Sequence, residues 1–115
     1  KSLAALSYRY LESLEDDGLI VFHDQFVAVP NNHISCHFWS DCNNLEYVSS
    51  IDPDYIIYAK NFRIDWAAHN NQPKRIYEYI NKSGSYYLLT VLDGTSSSII
   101  NDNPDQLKLY VYKKI

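Results

Sequence analysis

Leu3, Leu6, Tyr10, Leu11 and Leu14 recur at helical spacing with Arg9, Glu12 and Glu15 between them, so an amphipathic helix is expected over 3–14. The polar break Glu15, Asp16, Asp17, Gly18 ends it, and Gly18 is suited to a left-handed cap. Leu19, Ile20, Val21 and Phe22 then form a short apolar run bounded by His23 and Asp24, the mark of a buried strand. Residues 26–29 are apolar too, but Pro30, Asn31 and Asn32 stop them, which leaves either a short extension or a loop lying over the core. A second strand is expected over 34–39, rich in aromatic and branched residues. Asp41 or Asn43 would cap a short helix carrying Leu45, Val48 and Ile51 on one side.

Asp52, Pro53 and Asp54 interrupt that helix, and residues 55–59 form the clearest buried strand in the chain. Residues 62–72 mix aromatic and charged side chains and predict an irregular crossing. Pro73 suits the first position of a helix through Ile76, Tyr79 and Ile80, closed by Ser83 and Gly84. Two strands follow, over 86–92 and 107–112, separated by a Ser, Asn and Asp rich stretch that predicts a mobile loop. A loop connection makes the closing strands antiparallel, whereas the earlier strands alternate with helices and are expected to be parallel. The fold class that follows is α/β: one three-layer domain with a mixed sheet of about five strands and a C-terminal antiparallel pair.

Composition narrows the function. The chain has 115 residues and a net charge of -4, and its ten Lys and Arg are scattered, so the basic face of a nucleic-acid binder is missing. Charged residues make up only 21% of a chain rich in Leu, Ile, Val and Tyr, which excludes a disordered acidic tail, and two Cys exclude a disulfide-built mini-protein. With three isolated Gly there is no dinucleotide fingerprint, no phosphate loop and no Gly-flanked nucleophilic Ser, and no cofactor is implied. The longest apolar runs fall far short of the roughly 18 residues a membrane helix needs. The absence of Met leads us to expect a piece excised from a longer chain.

Three groups of residues carry candidate chemistry. His33, Cys36, His37 and Cys42 offer zinc-type ligands, but adjacent Cys36 and His37 on a strand point to opposite faces, so one ion is hard to share. The alternatives are buried Cys, or a Cys36–Cys42 disulfide if the domain lies outside the cytoplasm. His23 and Asp24 follow the first strand, where open α/β sheets bind ligands, and Asp52, Asp54 and Asp65 are expected to approach from neighbouring strand ends. Against this, a chain leaving its core is polar in any case. Phe62, Arg63, Trp66 and His69 form a polar-aromatic segment suited to stacking on a sugar or anchoring an interface, or simply to plugging the sheet end. Asn81, Lys82 and Ser83 match a glycosylation acceptor at the rate chance supplies.

Taken in order, the opening helix, the strand Leu19, Ile20, Val21, Phe22 and the run from Ile51 through Asp52, Pro53, Asp54 and Tyr55 to Tyr58 form a pattern. With the aromatic crossing at Trp66, the helix with Tyr77 and Tyr79 and the closing strand 107–113, it resembles the soluble segment after the membrane spans of polytopic glycosyltransferases. These are the mannosyltransferase and aminoarabinose-transferase type, which use polyprenyl-phosphate sugars. The resemblance implies a small α/β domain on the extracytoplasmic face of a bacterial inner membrane, partnered with the membrane-embedded part of its parent chain and with a glycan or lipid-linked sugar. The family's catalytic carboxylates lie between its membrane helices, so no catalytic residue carries over and the implied role is accessory. Two rival readings are a free-standing secreted or periplasmic binding protein, immunity-like or adaptor-like, and a small metal-dependent enzyme using His23, Asp24 and the His33 to Cys42 cluster.

Overall fold

The structure is a computed structural model that describes residues 3–23, 27–38, 40, 42, 44–59, 72–93 and 108–115. In chain order the elements are α1 (Leu3–Glu12), β1 (Ile20–His23), β2 (Ile34–His37), α2 (Leu45–Ile51), β3 (Tyr55–Ala59), α3 (Gln72–Lys82), β4 (Tyr86–Asp93) and β5 (Lys108–Lys114). The strands form one mixed sheet in the order β2-β1-β3-β5-β4. β1 runs parallel to both β2 and β3, and β5 runs antiparallel to both β3 and β4. The last strand therefore inserts between β3 and β4, an order that periodicity does not reveal.

Side chains alternate across a strand, and here both faces are apolar, which is why 20–22 and 55–58 read as continuous apolar runs. Val21, Tyr55, Ile57, Leu109 and Val111 face one way and pack with Leu11 of α1 and Val27. Phe22, Ile56 and Tyr58 face the other way and pack with Val48 of α2 and Ile76 and Ile80 of α3. One helix on one face and two on the other make the three layers. The connection from β1 to β2 contains no helix among its described residues. Instead Val27 is buried beside α1, and Ser7 Oγ accepts from the Ala28 amide at 2.9 Å, so this loop lies over the core.

α1 stops at Glu12, two residues before the apolar stripe does. The Ser13 amide is shared between Arg9 and Tyr10 carbonyls at 3.1 and 3.2 Å, the tightened last turn that ends many helices. The cap of α2 is Asn44 and not Asp41 or Asn43: its backbone is extended and its side chain accepts from the Tyr47 amide at 3.2 Å. The helix ends on Asp52 in the left-handed region, φ 54°, where Asn and Asp are among the few side chains tolerated. The expected crossing over 62–72 lies outside the described residues except for Gln72, which opens α3. The expected loop over 93–105 lies outside them except for Asp93, which closes β4.

Candidate functional site

Parallel strands put like ends together, so the carboxyl ends of β1 and β2 present His23 and His37 side by side in register. Their rings meet edge to face with centroids 4.9 Å apart. His23 is buried, and its Nε2 shares a 2.6 Å hydrogen bond with Ser35 Oγ, whose residue is exposed. An imidazole and a hydroxyl at that distance can exchange a proton, with the serine as the solvent-facing end. Ser35 stands out only once the register is known, because it lies two positions before His37 on an edge strand and carries no motif.

The opposite face of this edge is closed covalently. Cys36 and Cys42 form a disulfide with Cα atoms 5.6 Å apart, both sulfurs inside the core cluster that holds Phe22, Phe38 and Val48. Ser40 and Cys42 amides both donate to the His37 carbonyl at 3.1 Å, and the Phe38 amide donates to the His23 carbonyl at 2.8 Å. The turn after β2 is thus tied down from backbone and side chain alike.

The candidate zinc cluster is divided by this geometry. Its two sulfurs are bonded to each other, and His33 and His37 bracket β2 from opposite ends, about 13 Å of strand at ~3.3 Å per residue. Among the described residues no group of three or more His, Cys, Asp or Glu converges on a common point. His33 serves the amino-terminal edge instead. Its Nε2 donates to the Leu11 carbonyl at 2.8 Å and its Nδ1 accepts from the Leu19 amide at 3.3 Å, which defines a neutral tautomer protonated at Nε2.

The expectation that Asp52 and Asp54 approach His23 is corrected by the topology. Both precede β3 and sit at the amino-terminal ends of the parallel strands, across the sheet from His23. Asp54 Oδ2 accepts from the Ile20 amide at 2.8 Å, and the Asp54 amide donates to the Ile20 carbonyl at 2.8 Å. Lys114 Nζ lies 2.8 Å from Asp52 Oδ2 and 3.9 Å from Asp54 Oδ1, and the Asp52 hydrogen bond raises the lysine above its usual range. Tyr86 donates to the buried Pro53 carbonyl at 2.7 Å, and burial first, then neighbouring Tyr79 and Asp52, pushes its phenol far up. These aspartates fasten β1, β3 and β5 together at that edge.

Asp24, Asp65, Phe62, Arg63, Trp66 and His69 lie outside the described residues. A further open groove of about 350 Å³ runs between α2 and α3, lined by Leu45, Arg75, Glu78, Tyr79, Lys82 and Ser83. Its charges are partnered within the chain. Arg75 donates to Glu46 at 2.7 Å and thereby holds that carboxyl below its usual range, and Lys82 faces Glu78 at 3.9 Å. Both pairs are exposed and contribute little to stability.

No family model, curated protein or solved structure matches the chain. No described helix is long and apolar enough to cross a membrane.

Proposed function

We propose that this chain is the extracytoplasmic accessory domain of a polytopic membrane glycosyltransferase that uses a lipid-linked sugar donor, with its reaction chemistry carried by the membrane part of the parent chain. The observation that carries the reading is the Cys36–Cys42 disulfide, because such bonds persist in oxidising compartments and are rare in the cytosol. It joins a chain whose order of elements resembles that family's soluble segment. The role of the aspartates agrees with an accessory domain: Asp52 and Asp54 hold strands together, which is structural work.

The complete reading frame tests this directly. A parent chain with many membrane spans upstream of Lys1 is the expected result, and reporter fusions at Ile115 should place this end on the extracytoplasmic side. A parent with a single signal segment and no spans would overturn the proposal and leave the free-standing binding protein in its place.

A further inference from the structure

Ser35 and His23 stand on neighbouring strands and share one face of the sheet, because Ser35 pairs with Val21 and His23 lies two residues beyond Val21. That is the α1 face, where Val21 is buried. The 2.6 Å contact between Ser35 Oγ and His23 Nε2 therefore joins an imidazole only 3% exposed to an exposed residue on an edge strand. Other exposed serines are engaged differently. Ser13, Ser49 and Ser50 donate to carbonyls three residues back, at 2.7, 3.1 and 2.7 Å. A carbonyl does not take the hydroxyl proton at neutral pH, whereas a neutral imidazole does.

The backbone adds a second feature. β2 pairs with β1 on one side only, and the Ile34 and Phe38 amides donate to the Leu19 and His23 carbonyls at 2.8 Å. Alternate residues of an edge strand bond inward, so the Ser35 amide between them points to the open side, where no described strand lies. Ser35 Oγ thus has a base on its inner side and its own N–H directed toward the outer side, from which a reactant approaches. Such a fixed donor stabilises the negative oxygen that forms on an attacked carbonyl. The His37 ring packs edge to face on His23, with centroids 4.9 Å apart, and helps to fix the imidazole plane.

We propose that Ser35 is an activated nucleophile for acyl transfer, with His23 as its general base and an activated carboxylic ester as the acyl donor. Ser35 Oγ forms a bond to the carbonyl carbon while its proton passes to His23 Nε2. The bond from that carbon to the alkoxy oxygen of the donor then breaks, and the alcohol leaves with the proton from His23. The products are acyl-Ser35 and a neutral imidazole, which activates water to release the carboxylic acid and restore the hydroxyl. The step requires His23 to be neutral with its proton on Nδ1, so that Nε2 accepts from Ser35. This activity belongs to the chain itself and does not rest on the glycosyltransferase reading.

An alkyl fluorophosphonate tests the nucleophile on the 115-residue chain, because the P–F bond breaks as Oγ bonds to phosphorus and the adduct persists for peptide mapping by mass spectrometry. Ser35 should be labelled at least ~100-fold faster than Ser49, the span that general-base assistance supplies. Its rate should rise with pH as an imidazole deprotonates and then level off, and unfolding in urea should reduce it to the Ser49 rate. His23→Gln should slow labelling to the same degree. Since that variant alters a buried position, the pH profile of the parent chain carries the same test without it. The ester class is read with p-nitrophenyl acetate, which the parent chain should hydrolyse faster than Ser35→Ala. Equal labelling of Ser35 and Ser49, labelling unchanged by urea or by His23→Gln, a rate that never levels off with pH, or equal ester hydrolysis by the parent chain and Ser35→Ala would each overturn the proposal.

Discussion

His33 is bonded through both ring nitrogens to backbone groups from two different segments, the last turn of α1 and the residue before β1. In the sequence it is one of four metal-type residues within ten positions, and no local pattern separates it from the others. Its surroundings do: a ring with one donor and one acceptor, both satisfied by backbone, is a tether. His33→Leu removes both bonds and strands the Leu19 amide, so unfolding free energy should fall by about 1–3 kcal/mol. Urea denaturation measures this, and a loss below about 0.5 kcal/mol would show that the tether contributes nothing. Tyr86 and Asp54 are of the same kind, polar residues whose partners lie 33 and 34 positions away in the chain.

At the scale of elements the apolar pattern was a reliable guide, because helix and strand each leave a period that packing enforces. The strands over 55–59 and 86–92 and the helices around Leu11, Val48 and Ile80 appear where that period places them. Ends were less legible, since α1 stops where the Ser13 amide donates to two carbonyls at once and α2 starts where the Asn44 side chain accepts from the Tyr47 amide. The turn after β2 depends on its disulfide. The two Cys are six positions apart, and closing so short a loop stabilises the fold by about 2 kcal/mol in the chain-entropy account. The Cys36→Ala/Cys42→Ala double variant should lower the guanidinium midpoint by at least that equivalent. In the parent chain, alkylation under denaturing conditions should modify neither Cys until reductant is added; modification without reductant would show that the bond is absent.

Across the whole molecule the tyrosines set a pH limit. Tyr10 and Tyr55 on the α1 face and Tyr86 on the other are all raised, in each case mainly by burial, which disfavours the phenolate. An unfolded tyrosine titrates near pH 10, so above that pH the unfolded chain has released protons that the folded chain still holds. Stability is then fully present below about pH 10 and falls as pH rises further. Urea midpoints taken between about pH 8 and about pH 11.5 should be flat and then decline, and Tyr86→Phe should make the decline shallower. Midpoints that held steady to the top of that range would contradict the burial argument.

The order of apolar and polar positions by itself determined the α/β class, the eight elements and the antiparallel closing pair, because each depends on contacts of fixed local period. It also excluded nucleotide loops and a Gly-flanked nucleophile, for which the necessary Gly are missing. Only the tertiary structure decided which end of the sheet each polar residue occupies. Parallel pairing brought His23 and His37 together with Ser35, and sent Asp52 and Asp54 to the far edge. It likewise decided that β5 lies inside the sheet and β4 at its margin, since strand order comes from pairings between residues distant in the chain.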